Sequence, residues 1–338
     1  MLTNKNILIT GGTGSFGKTF TKMTLEKFNP KKIIIFSRDE MKQWTMAESF
    51  RPSDPEGRVN YVIGDVRDKS ALRRIMSGVD IVVHAAATKI VPTAEYNSAE
   101  CIKTNINGAM NVIEVAIDEK VEKIVALSTD KACNPVNLYG ATKLASDKLF
   151  VSANLHTEQT KTCFSVVRYG NVIGSRGSVI PFFERKKETG VFPITDSRMT
   201  RFMISIEQGV SLVWHALEDS RGGEIYVHKI PSMRITDIAR AVDESVKQEI
   251  VGIRPGEKVH ELMIGQEDAQ NSYEYDWYYK ILPTLENWHL DPERIKHGVK
   301  VDEGFSYSSE TNSDWMTVEM LRQFLNSKSY RNLQALNI

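Results

Sequence analysis

The stretch Asn6-Ile7-Leu8-Ile9-Thr10-Gly11-Gly12-Thr13-Gly14-Ser15-Phe16-Gly17 decides the fold. An apolar, β-rich run enters a glycine-rich turn and leaves it as a helical segment, Lys18–Phe28. Glycines at such a junction let the chain turn tightly and let a pyrophosphate reach the free N–H groups of a helix N-terminus. Further short apolar runs alternate with helical stretches downstream. The pattern predicts strands at Lys32–Ser37, Val59–Ile63, Ile81–His84, Lys123–Ser128 and Cys163–Tyr169, and helices at Ser70–Ser77, Ala99–Glu119 and Leu138–Ala153. Continuous runs such as Ile33-Ile34-Ile35-Phe36 read as buried on both faces, which is how strands of a helix-covered parallel sheet read. The expected class is α/β, a doubly wound parallel sheet whose glycine loop binds a dinucleotide.

Beyond Tyr169 the pattern loosens. Turns at Gly174–Ser178 and Pro193–Asp196 interrupt it, and a helix near Glu207–Leu217 and a strand near Glu224–Val227 return to the main lobe. The expected division is residues 1–170 for the dinucleotide lobe, with 204–227 returning to it, and 171–203 with 228–338 for a smaller α+β substrate-binding cap. The aromatic run Tyr273–Tyr279 reads as packing, Thr317 as the cap of a last helix, and the final dozen residues as a frayed tail.

With 41% hydrophobic and 25% charged residues and a formal net charge of zero, the 338-residue chain has a soluble composition and no global charge suited to nucleic acid or an acidic membrane. Cys101, Cys133 and Cys163 are widely spaced, so neither a disulfide framework nor a metal site is expected. Met1 leads almost directly into a strand, and no apolar run approaches the roughly 18–20 residues that span a bilayer. The expectation is a cytoplasmic protein.

The strand ends carry the chemistry. Ser37 and Arg38, with Lys42 nearby, stand where an acid usually holds the ribose 2′-OH of NAD; a cation there favours the 2′-phosphate of NADP, while Asp39 and Glu40 keep NAD open. Asp65 is placed to accept from an adenine amino group. Small residues in His84-Ala85-Ala86-Ala87, with Lys89 beyond, admit ribose and pyrophosphate, and His84 reads as structural. Thr129, Asp130 and Lys131 follow the fifth strand, and Tyr139 and Lys143 share one helix face. A Tyr/Lys pair suits hydride chemistry at an alcohol, a neighbouring ammonium and the positive nicotinamide ring pulling the phenol below its usual value of about 10. The Asp130/Lys131 pair suits elimination of water. Lys131 is the better base, its amine lowered by desolvation and nearby positive charge, and Asp130 the acid, although the division between them stays open. Farther on, Arg201 and Arg254 suit a diphosphate, Glu257 suits ribose hydroxyls and Asn171 suits phosphate or sugar, each with a structural reading beside the binding one.

The glycine loop, Gly64-Asp65-Val66, His84–Ala87 and Tyr139/Lys143 resemble the extended short-chain dehydrogenase/reductase family, which implies a Rossmann-type sheet. More narrowly, Ser128–Lys131, Asn134–Lys143, Arg168–Val172, Ser175–Pro181, Met199–Phe202 and Arg254–Lys258 resemble the inverting UDP-N-acetylglucosamine 4,6-dehydratases. The resemblance covers nearly the whole chain. It implies oxidation at C4, loss of water across C5 and C6, and reduction at C6, beginning pseudaminic acid or related deoxyaminosugar synthesis. It also implies cofactor contacts from Gly11, Thr13, Gly14, Ser15, Phe16, Gly17, Val66, Ala86, Asn105 and Val172. It implies substrate contacts from Lys89 and from Arg176, Gly177, Ser178, Val179 and Ile180, and assembly as a homo-oligomer, dimer-based or hexameric. Retaining relatives carry Asp-Glu where this chain has Asp130-Lys131, so lysine points to inversion at C5. A UDP-hexose 4-epimerase is the competing reading, since it uses the same Tyr/Lys pair.

Overall fold

The computed structural model describes residues 1–337, and the side chains of all of these except Asn332, Leu336 and Asn337. The first half of the chain supplies strands β1 (Asn6–Thr10), β2 (Lys32–Ser37), β3 (Val59–Ile63), β4 (Ile81–His84), β5 (Lys123–Leu127) and β6 (Cys163–Arg168). The second half supplies β7 (Asn171–Val172), β8 (Val191–Ile194), β9 (Thr200–Ile204), β10 (Ile225–His228), β11 (Ser232–Arg234), β12 (Lys247–Ile250), β13 (Leu262–Ile264), β14 (Ser272–Glu274), β15 (Tyr278–Ile281), β16 (Val299–Lys300) and β17 (Tyr307–Ser308). The main sheet runs β16-β14-β15-β10-β6-β5-β4-β1-β2-β3. Its stretch from β3 to β10 is parallel throughout, as the unbroken apolar strands require, and the winding reverses between β1 and β4. In an open sheet of this kind the crevice outside the strand ends at that reversal is where a ligand binds.

Polar caps start the covering helices. Asp39, Asp68 and Asn137 each accept a backbone N–H in the first turn of the helices Glu40–Phe50, Lys69–Met76 and Leu138–Ala153. The helix Ile206–Asp219 opens with a reciprocal Ser205/Gln208 capping box. The expected helix over Ala99–Glu119 is instead Ser98–Ile102 and Gly108–Asp118 joined by a π-helical turn, Lys103–Asn107.

Two further expectations are corrected. Residues 272–300, assigned from sequence to the cap, provide the antiparallel strands β14, β15 and β16, which continue the main sheet from β10. The buried rings of Tyr273, Tyr275, Tyr278 and Tyr279 join the main core there, so the aromatic run is packing. The C-terminal residues form a helix, Lys328–Asn337, with Tyr330 and Leu333 buried and the Tyr330 hydroxyl donating to Glu184. The cap has its own core, where Phe183, Phe192, Met233, Ile238 and Leu321 pack beneath small sheets β11-β9-β7 and β12-β8, while the β13-β17 pair joins the main core through Met263, Ile264 and Tyr307.

Gly140 lets the helix Leu138–Ala153 settle on the turn Asp130–Ala132, because a Cβ there would stand 2.2 Å from the Lys131 carbonyl oxygen. Gly140→Ala is expected to cost about 2 kcal/mol through this overlap. A urea unfolding midpoint lower than that of the wild type measures it; an unchanged midpoint would show that the turn yields.

Candidate active site

A cleft of about 720 Å³ lies between the lobes, lined by the glycine loop, the ends of β4, β5 and β6, and cap residues 175–206 and 254–261. On the dinucleotide side Gly11 has φ +66°, and a Cβ there would lie 2.8 Å from the Ala86 backbone. The two strand ends therefore meet as a narrow cradle that only glycine allows, and the residues present fit a pyrophosphate. Gly14, Ser15, Phe16, Gly17, Ala86, Lys89 and Val172 face this part of the cleft, while Thr13 lies off its lining.

Ser37 and Arg38 end β2 beside Asp65 and Val66, which follow β3. The Arg38 guanidinium is more than half exposed and 3.6 Å from the Asp65 carboxylate. Asp65 is held chiefly by Arg67, whose Nε and Nη2 donate to it at 2.8 and 2.6 Å. Lys42 pairs with Asp39 at 2.8 Å, leaving Arg38 as the less committed cation at this end. Asn105 does not reach the cleft. It is buried, donates to the Thr88 carbonyl and the Thr142 hydroxyl, and accepts from the Thr88 N–H, pinning the loop after β4 to the helix Leu138–Ala153. His84 is also internal; its Nδ1 lies 2.8 Å from the Thr10 hydroxyl, and burial pushes the ring down to about 3, so it stays neutral.

Thr129, Asp130, Lys131, Tyr139 and Lys143 converge on one wall. Thr129 caps the turn Asp130–Ala132 and donates its hydroxyl to Asp130 Oδ1 at 2.9 Å. Lys131 Nζ lies 3.0 Å from Asp130 Oδ1 and 3.1 Å from Glu261 Oε1. Glu261 precedes β13 in the cap and went unnoticed in the sequence, where it belongs to no acid/base motif. Burial favours a neutral amine at Lys131, yet the two carboxylates together hold it above the usual lysine range, against a smaller opposing effect of Arg201. The expected lowering by neighbouring positive charge is thus reversed, because its nearest charged partners are anions. Burial pushes the Asp130 carboxyl up; Lys131 opposes this and Glu261 adds to it. Tyr139 is pushed up to about 12 by burial, with Lys131 and the Thr129 hydroxyl pulling it back. Burial outweighs the Lys131 ammonium, so the protein's own groups favour the neutral phenol; the expected lowering drew on the positive nicotinamide ring as well. Lys143 is lowered by burial, with Asp147 opposing. Behind it Asp147 accepts from the Ser128 hydroxyl at 2.8 Å and pairs with Arg168 at 3.3 Å.

At the far end, Asn171, Gly177, Ser178, Val179, Arg254 and Glu257 line the cleft, while Ile180 is buried in the cap core. Arg176 lies off the lining; its backbone N–H is 3.5 Å from the Ser15 hydroxyl. Arg201 lines the cleft but spends its guanidinium on the carbonyls of Thr200, Lys258 and Val259 at 2.7, 3.1 and 3.0 Å. Arg254 is half exposed, 3.8 Å from Glu257. One carboxylate oxygen each of Asp130, Glu257 and Glu261 is buried without a hydrogen-bond partner among the described residues. A cleft with such acceptors suits a ligand rich in hydroxyls. Arg185 also lines it, a cation that no motif marked. Among the described residues no cluster of His, Cys, Asp and Glu could hold a metal, and no helix is long and apolar enough to cross a membrane.

Residues 7–283 match the family described as polysaccharide biosynthesis protein. The chain belongs to that family. Among its relatives, an inverting UDP-N-acetylglucosamine 4,6-dehydratase of Campylobacter jejuni is 54% identical, over 96% of this chain and 98% of that protein. A UDP-glucose 4-epimerase of Rickettsia akari is 41% identical, over 83% of this chain and 84% of the epimerase. The solved structure of Pen from Bacillus thuringiensis matches with a TM-score of 0.89 at 34% identity, covering 98% of this chain and 99% of that one. The main sheet is Rossmann-like, large, central and mostly parallel.

The two arginines should separate on substitution. Arg201→Ala strands three carbonyls and is expected to cost about 3 kcal/mol of stability, read as a lowered melting temperature. Arg254→Ala should leave melting unchanged and raise the KM for a nucleotide diphosphate sugar about tenfold.

Proposed function

We propose that the chain is an NADP-dependent UDP-N-acetylglucosamine 4,6-dehydratase that inverts C5. Its product would be UDP-2-acetamido-2,6-dideoxy-β-L-arabino-hexos-4-ulose. The observation that carries the reading is the Lys131 ammonium, held between two buried carboxylates on the same wall as Tyr139 and Lys143. Kinship to the Campylobacter dehydratase supports it over most of both chains.

A dinucleotide held at the Gly11–Gly17 loop would supply the hydride acceptor for C4 of the sugar and the hydride donor for C6. Tyr139 takes the 4-OH proton, its phenolate favoured by Lys131 and Thr129 against the cost of burial. Lys143, on the same helix face, holds the ribose hydroxyls. The C4 ketone makes the C5 hydrogen acidic. A proton passing from Lys131 to Asp130, at 3.0 Å, turns the ion pair into a neutral amine and a carboxylic acid. The amine removes the C5 proton, and the acid protonates O6 as the C6–O bond breaks and water leaves. The Lys131 ammonium then gives a proton to C5 from the opposite face. Over the cycle Tyr139 gains one proton and the Lys131/Asp130 pair loses one; Thr129, hydrogen-bonded to Asp130 and beside the phenol, links them for its return. At the nucleotide end, Arg254 suits the diphosphate and Glu257 the ribose hydroxyls. Arg38 supports NADP over NAD by offering an exposed guanidinium at the tip of β2.

The proposal extends to the first step of pseudaminic acid or related deoxyaminosugar synthesis and to the cytoplasm, where three free cysteines are at home. It includes a homo-oligomer, supported by exposed Tyr96, Ile102 and Met110 around the helices Val91–Tyr96, Ser98–Ile102 and Gly108–Asp118. A UDP-hexose 4-epimerase is the second reading, favoured by the Rickettsia relative; it has no use for the acid and amine at 130 and 131.

Incubation with UDP-N-acetylglucosamine decides between them. Mass spectrometry should show loss of one water, and NMR the inverted C5; an isobaric product would establish the epimerase. Lys131→Ala should lower turnover about 1,000-fold or more while the purified protein still carries its dinucleotide, and near-normal turnover would remove Lys131 from the chemistry. Arg38→Ala should weaken NADP binding about tenfold without changing NAD binding. Equal or tighter binding of NAD by the wild type would overturn the choice of NADP.

A further inference from the structure

Glu261 stands outside every catalytic motif, yet it completes the charged cluster. It is 2% exposed, and its Oε1 contacts both Lys131 Nζ at 3.1 Å and Arg201 Nε at 3.6 Å. Its own backbone is fixed on both sides by one residue. The Glu261 N–H donates to the Ser309 hydroxyl at 2.8 Å, and the Ser309 N–H donates to the Glu261 carbonyl at 2.9 Å. This carboxylate therefore arrives from the cap, held in place by the antiparallel β13–β17 pair, and meets an amine from the dinucleotide lobe.

We propose that Glu261 is a positioning residue that fixes Lys131 against Asp130 and biases the proton these two share. The proposal rests on the dehydratase reading. A long, flexible lysine next to a single carboxylate can take many rotamers; a second buried anchor selects the one in which Nζ faces Asp130. The second anchor is also a charge. The working pair holds one proton, on Asp130 or on Lys131, and loses activity on the acid side by gaining a second and on the alkaline side by losing the first. A buried anion beside both groups favours the protonated form at each step, so it moves both limbs of the pH profile upward. This agrees with the raised Asp130 and Lys131, to both of which Glu261 contributes. The other charged or titratable groups facing the cluster are Arg201, Lys258 and Tyr139, and all remain when Glu261 is neutralised.

The test is the pH dependence of kcat, with KM, for the wild type, Glu261→Gln and Glu261→Asp on UDP-N-acetylglucosamine. Glu261→Gln should lower kcat at neutral pH about 10- to 100-fold, keep KM within about twofold and shift both limbs toward acid by about one pH unit. Glu261→Asp keeps the charge but draws it back by one methylene, so kcat should fall while the limbs stay near those of the wild type. Limbs that do not move in Glu261→Gln would overturn the proposal, because a merely structural role changes stability and rate without shifting them. If Glu261→Gln fails to fold, Glu261→Ala, which also removes the charge, is read in the same way: limbs shifted toward acid support the proposal, and limbs that stay overturn it. A wild type that releases no 4-keto product would overturn the dehydratase reading itself, whereas wild-type turnover with an unshifted Gln profile overturns only this inference.

Discussion

The approach of Gly11 to the Ala86 backbone is the constraint on which the rest of the molecule depends. It occurs where the winding of the sheet reverses between β1 and β4, so the crevice forms there. No side chain larger than hydrogen fits, because the Cβ would fall 2.8 Å from the neighbouring main chain. Four parts of the candidate site follow strands ending near that crevice: the glycine loop after β1, Arg38 after β2, Ala86 after β4 and Thr129–Lys131 after β5. The cap closes the crevice from the other side, with Arg254, Glu257 and Glu261 on one segment.

Within the crevice, burial and charge oppose each other at each group, and the balance differs among them. Tyr139 and Lys143 are four residues apart and equally enclosed, and burial prevails at both, favouring the neutral phenol and the neutral amine. At Lys131 it does not, because two carboxylates within about 3 Å outweigh desolvation. A buried ammonium so held is costly to leave unpaired. The cluster is therefore arranged to exchange protons internally, with Asp130 poised toward its acid form and Lys131 toward its ammonium.

The same scaffold serves relatives that bear different activities, among them a 4,6-dehydratase and a 4-epimerase. In this chain Tyr139 and Lys143 share a cleft wall with a short turn, Asp130–Ala132, which is packed under Gly140 and tied to the cap through Glu261.

Much of this was legible in the sequence. Unbroken apolar runs set β2 and β4 to the residue, because a strand buried on both faces has no polar alternation to blur its ends, and the half-buried β3 falls where expected as well. The glycine loop, the Asp130/Lys131 pair and Tyr139/Lys143 could be read because each lies in one local segment, where spacing alone fixes geometry. The edge strands β14 to β16 could not, being two to four residues long and stabilised by their partners rather than by their own pattern. Nor could the helix Lys328–Asn337, which depends on burying Tyr330 and Leu333. Asn105 and Arg201 looked like ligand contacts by position, and only the packing revealed how far their polar groups are spent on the main chain and on Thr142. The sequence by itself determined the parallel strands and the glycine loop, and it singled out an acid, an amine and a phenol as candidates for the chemistry. The tertiary structure alone decided their protonation, since that depends on burial and on Glu261, a charge brought from the other lobe that no local spacing can reveal.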